Sequence, residues 1–195
     1  KELNIKEERS YKLSYNYRNT YEIARFSAEF YVGLKTGIPK FPEKKRGEKP
    51  KLVTCSSYSK SIDFMCTHIK NNTNKEIGIF VQNHEKRKKI IKDLKEKLTS
   101  TDITIQSYQY SERKDDEYAN AKNLKFDVGS LVTVITKHSC KGLEFDTVFI
   151  PEIQEVSVDP GAKEQFRMEM YVMTSRARSN LFLLLTNQDD SDLQI

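Results

Sequence analysis

Apolar residues fall in two rhythms along the chain. Short, nearly continuous apolar runs occupy 76–81 (EIGIFV), 131–135 (LVTVI), 147–150 (TVFI) and 181–185 (LFLLL), the second and third rich in β-branched residues, the pattern of strands buried on both faces of a parallel sheet. Residues 51–55 and 103–107 are shorter strand candidates. Between these runs the apolar positions recur at helical spacing: Ile62, Met65, Cys66 and Ile69 from about Ser59, Ile90, Ile91, Leu94 and Leu98 from near Glu85, and Phe166, Met170, Met173 and Ala177 after Gly161. A further helix is predicted to begin just after Arg18. Asn19 followed three residues later by Glu22 has the form of a capping box, and Ile23, Phe26, Phe30 and Leu34 then share one face. Residues 36–50 are rich in Pro, Gly and Lys and read as a loop, its run Lys44, Lys45, Arg46 solvated. Residues 108–130 have no clear period and read as a long loop. Strands alternating with amphipathic helices predict an α/β domain with a mainly parallel sheet and helices on both faces.

Composition narrows this picture. At 195 residues and 37% hydrophobic content the chain can bury one sizeable core, so one domain over residues 1–195 is expected. The net charge of +5, from 33 Lys and Arg against 28 Asp and Glu, suits a polyanionic partner without demanding one. Three cysteines, Cys55, Cys66 and Cys140, with no C-x-x-C pair, speak against a disulfide framework or a metal site and fit a reducing compartment. No run approaches the roughly 18 apolar residues of a membrane span. The chain starts at Lys1 with neither an initiator methionine nor an apolar leader, and is read as a fragment of a cytoplasmic protein with no membrane partner.

The chemistry is concentrated between two of the buried runs. In an open α/β sheet ligands bind beyond the carboxyl ends of the strands, which makes Thr136, His138, Lys141, Gly142 and Glu144 site candidates. Cys140 beside His138 would be the nucleophile and base of a thiol hydrolase, but no orienting group accompanies them. The string T-x-H-x-x-K-G-L-E-F-D, residues 136–146, resembles motif V of superfamily 1 helicases of the UvrD, Rep and PcrA type. L-x-x-N-Y-R-N-T at 13–20 is similar to their motif IV. YVMTSRAR at 171–178 resembles motif VI, usually Y-V-A-x-T-R-A, with Ser175 where Thr is usual. The three stand in the order that family requires.

The resemblance implies the second, C-terminal RecA-like domain of a P-loop NTPase-type motor, without the inserted auxiliary helical domain, for which 108–130 leaves no room. Arg18 and Arg176 are then the γ-phosphate arginines, Tyr17 packs by the base, Glu144 meets the ribose, and Gly142 lets the backbone turn. Thr136, His138 and Lys141 face single-stranded or partly duplex DNA. Both arginines are expected to converge near Glu144 at the carboxyl-end edge of the sheet, exposed and unpaired. Arg178 has no assignment from the motif and reads as a solvated or helix-end charge. The Walker A string G-x-x-x-x-G-K-[ST] is absent from the sequence, so ATP and Mg²⁺ would be held mainly by a preceding RecA-like domain, the second expected partner. The K-G-L-E form leans toward 3′-to-5′ translocation. The competing reading is a non-catalytic nucleic-acid or partner-binding module derived from a helicase.

Overall fold

In a computed structural model, which describes residues 16–33, 37–108, 124–126, 128–156 and 162–186, six strands form one sheet in the order β1-β6-β5-β2-β4-β3. These are β1 (Lys51–Cys55), β2 (Glu76–Val81), β3 (Thr104–Tyr108), β4 (Leu131–Thr136), β5 (Phe145–Ile150) and β6 (Ala177–Thr186). Every neighbouring pair is parallel. The most apolar runs are the inner strands: β2 and β4 are buried at every position, as strands covered on both faces must be.

Alternation along β2 shows the two layers. Ile77, Ile79 and Val81 pack with Ile62, Met65 and Ile69 of α2 (Tyr58–Asn71) and Ile90, Ile91 and Leu94 of α3 (His84–Lys97). Phe80 points the other way, into a cluster with Ile23 of α1 (Tyr21–Ala28) and Met170 and Met173 of α4 (Lys163–Thr174). Gly78 is on this second face because there is no space for a side chain: a Cβ would lie 2.6 Å from the Phe145 ring. The α/β architecture with a parallel sheet covered on both faces agrees with the sequence reading.

Several local readings are corrected. Asn19 does not cap α1. Thr20 is the N-cap, extended and without a side-chain cap bond, and the Glu22 carboxylate accepts from Gly47 N (2.9 Å) and Arg46 (3.1 Å) instead of reaching back. The helix stops at Ala28; Phe30 still packs on the second cluster, while Leu34 lies outside the described residues. The basic run at 44–46 is not simply solvated. Lys45 Nζ donates to the carbonyls of Tyr17 and Arg18, and Arg46 lies over the Tyr21 ring at 4.0 Å. In α3, Lys86 pairs with Glu152 (2.7 Å) and Glu155 (2.6 Å). Finally, β6 begins at Ala177, four residues before the apolar run that announced it. Leu13, Gly161 and most of the long loop, residues 109–123 and 127, lie outside the described residues.

Candidate functional site

Three chain segments meet at the amino ends of β5 and β6. Phe145 N donates to the Arg176 carbonyl (3.0 Å) and Thr20 N to the Arg178 carbonyl (3.1 Å). The Asn19 side-chain amide, buried, donates to the carbonyls of Ser175 (3.0 Å) and Ala177 (2.5 Å). This stitching brings Arg18, Glu144 and Arg176 to one edge, although Arg18 lies far from the other two in sequence. The edge is the amino end, not the expected carboxyl end. The connection from β4 to β5 runs back along the sheet, so Thr136 leaves β4 at its carboxyl end while Glu144 enters β5 at its amino end.

Neither arginine is exposed and unpaired. Arg18 Nε forms an ion pair with Glu144 Oε1, each side chain about one-third exposed (36% and 34%). The contact is ionic only: Arg18 Nε is buried and, among the described residues, has no acceptor at hydrogen-bonding geometry. Arg176 donates from Nε to the Val172 carbonyl (2.9 Å) and from its terminal nitrogen to Ser175 Oγ (3.3 Å). Ser175 thus supplies the hydroxyl of the motif. Burial, and then the Arg18 charge nearby, push the Arg176 guanidinium below its ordinary value, with Glu144 opposing the shift; an arginine remains charged regardless. Among the described residues no carboxylate lies within ion-pairing distance of Arg176.

Arg178 is neither solvated nor at a helix end. From β6 it reaches Glu76 Oε2 (3.1 Å), Asp146 Oδ1 (3.6 Å) and Glu144 Oε2 (3.7 Å), and donates to the Glu144 carbonyl (3.4 Å). Sequence reasoning missed it because its three carboxylates come from separate stretches, and only the strand order places them around one guanidinium.

Tyr17 is 75% exposed and lines an open cavity of about 800 Å³ with Tyr21, Phe41, Pro42 and Lys44. Tyr21 meets Phe41 edge-on (5.9 Å between centroids), so the ring beside Arg18 adjoins an aromatic, basic wall.

At the other edge, Thr136 is buried, its hydroxyl 3.3 Å from Ser139 Oγ. His138, Lys141 and Gly142 are exposed. Gly142 has φ +87° with open space where a Cβ would be, a backbone conformation that glycine adopts without strain. Lys137 is tied to α4 through Glu169 (2.6 Å). Cys140 is fully buried with Sγ 3.0 Å from the Lys137 carbonyl, and burial pushes its thiol up to about 11. A thiol that hard to ionise is no nucleophile, which removes the thiol-hydrolase reading.

The sheet, its helical layers and this edge define an α/β domain of RecA-like type. Residues 114–188 match the UvrD-like helicase C-terminal domain. These include Thr136 to Glu144 and Arg176 but not Arg18. Over 107 residues the chain is 35% identical to RecBCD enzyme subunit RecB of Chlamydia pneumoniae, covering 49% of this chain and 10% of that protein. It therefore spans about a tenth of that relative's length. The fold is similar to the C-terminal domain of a possible DNA helicase from Lactobacillus plantarum WCFS1, with a TM-score of 0.60, 22% identity and 87% of each chain covered. Over residues 114–188, fewer than half of its 195, the chain is thus similar to the UvrD-like helicase C-terminal domain. Among the described residues no helix is long and apolar enough to cross a membrane.

Proposed function

We propose that this chain is the C-terminal motor domain of an ATP-dependent DNA helicase or translocase. In this reading Arg18 and Arg176 contact the γ-phosphate of ATP, whose remaining phosphates and Mg²⁺ are held by a preceding RecA-like domain carrying the Walker A loop that this sequence lacks. One observation carries the proposal. Two guanidiniums share an edge, one of them half-buried, with no carboxylate at ion-pairing distance among the described residues, and pushed below its ordinary value by burial and then by its like-charged neighbour. Such a pair favours an anion, and a planar, permanently charged fork fits phosphate oxygens. The residues present therefore suit the group the family would bind here.

Tyr17, beside the aromatic wall, is the surface for the base, Glu144 lies where the ribose would approach, and Gly142 gives the loop its turn. His138 and Lys141, exposed at the opposite edge, are the contacts for single-stranded DNA, with Thr136 buried beneath and shaping the loop. A single connection of eight residues, 137–144, then joins the nucleic-acid side to the nucleotide side. Closing of the two domains on ATP and their parting after hydrolysis would shift the grip on DNA.

The test is ATP hydrolysis by the full-length protein with and without single-stranded DNA. The His138→Ala variant should lose most of the DNA-stimulated rate while keeping the basal rate. Equal loss of both contradicts the DNA assignment. Absence of any hydrolysis by the wild-type protein favours the non-catalytic binding module.

A further inference from the structure

Arg178 has no place in the reading above, yet it is the most heavily paired cation of the nucleotide-side edge. We propose that Arg178 is a positioning residue: it holds Glu144 at the amino end of β5 and, through Glu144, sets Arg18. The inference rests on the proposed role of Arg18.

The geometry has three parts. The Glu144 carboxylate is shared, Oε1 with Arg18 and Oε2 with Arg178. Arg178 is itself fixed from behind: Glu76 opens the buried strand β2, and Asp146, which also accepts from Glu76 N (3.1 Å), lies in β5. Anchored to two strands of the sheet, Arg178 cannot follow Glu144. Its carbonyl also accepts from Thr20 N (3.1 Å), so one residue anchors the Arg18 segment by main chain and the Arg18 charge by side chain.

Charge explains the consequence. When an incoming phosphate takes Arg18, Glu144 loses one cation and keeps the other. Without Arg178, three carboxylates would face one another with Arg18 as the remaining nearby counter-charge, and Glu144 would compete with the phosphate for it. The effect should appear first in nucleotide binding. A guanidinium whose three nitrogens each meet a different carboxylate is also not replaceable by a point charge without loss, so lysine should restore only part of the effect.

The experiment is a double-mutant cycle in the full-length protein, reading KM for ATP, kcat and thermal midpoint for Arg178→Met, Glu144→Gln and the pair, with Arg178→Lys as the variant that keeps the charge. Arg178→Met should raise KM by about 5- to 10-fold, more than it lowers kcat, Arg178→Lys should recover part of the change, and in the Glu144→Gln background the same substitution should leave KM within about 2-fold. An equal rise of KM in both backgrounds overturns the proposal, as does a fall in thermal midpoint with KM unchanged for both Arg178 variants. Arg18→Ala, measured alongside, separates the two levels. If it hydrolyses ATP normally, the proposed role of Arg18 fails; if it is inactive while Arg178→Met binds ATP normally, only the positioning role fails.

Discussion

Removing the Asn19 side chain should unpin the edge that carries Arg18, Glu144 and Arg176. Its amide makes two buried hydrogen bonds, to the carbonyls of Ser175 and Ala177, and its Oδ1 accepts from Asn16 Nδ2 at 2.7 Å. The residue is 1% exposed, so water does not readily replace these partners in Asn19→Ala. Each buried bond is worth about 0.5–1.5 kcal/mol net, and a carbonyl left without its donor costs about 1–3 kcal/mol. With some relaxation, a loss of about 2–3 kcal/mol is expected, or about 5–10 °C in thermal midpoint for a chain of this size. Asn19→Asp keeps the shape but has no donor, and places a negative charge against two carbonyl oxygens, so it should be no better than alanine. Urea unfolding measures the loss. ATP turnover of the full-length protein should fall in the same variants, because Asn19, beside the Thr20 N bond to the Arg178 carbonyl, fastens the Arg18 segment to the Arg176 segment. Stability of Asn19→Ala within about 0.5 kcal/mol of wild type would refute the reasoning.

Other consequences are as direct. Gly78→Ala puts a methyl 2.6 Å from the Phe145 ring in the middle of the sheet; a loss of about 1–3 kcal/mol is expected by thermal or urea unfolding, and none would mean that Phe145 has room to move. Partial burial pushes Glu169 up, but hydrogen bonds from Lys137 and Gln165 and the charges of Lys137 and His138 outweigh it and hold the carboxyl below its ordinary value of 4.5. Because the folded value is the lower one, Glu169 contributes stability above the unfolded value and loses it as pH falls through the folded one. Stability curves of Glu169→Gln should therefore be shallower than wild type below about pH 4.5 and lower above it. A wild-type acid limb in that variant would contradict the pairing.

The strands were legible because burial on both faces leaves continuous apolar runs, and α2, α3 and α4 because their apolar stripes repeat at 3.6 residues. What failed did so where tertiary partners override local pattern. Asn19 and Glu22 have capping-box spacing, yet the buried carbonyls at 175 and 177 and the loop amide at 47 claimed both side chains, and no local pattern holds that information. The start of β6 was hidden because residues 178–180 are polar and half-buried. The sheet edge of the arginines was misplaced because the carboxyl-end rule was applied to the whole 136–144 loop, although a connection between parallel strands must return to the opposite end. Arg178 carried no signal in sequence, since Glu76, Glu144 and Asp146 gather around it only once β2, β5 and β6 lie side by side.

The central claim is that Arg18 and Arg176 act on one phosphate, and the turnover of each alanine variant measures it most directly. In the full-length protein, Arg18→Ala and Arg176→Ala should each lower kcat for ATP by about 10³-fold or more, and the double variant should be little worse than either, since residues acting as a unit are not additive. Thermal unfolding run beside the kinetics should show both single variants folded. ATP hydrolysis at the wild-type rate by either folded variant would contradict the account.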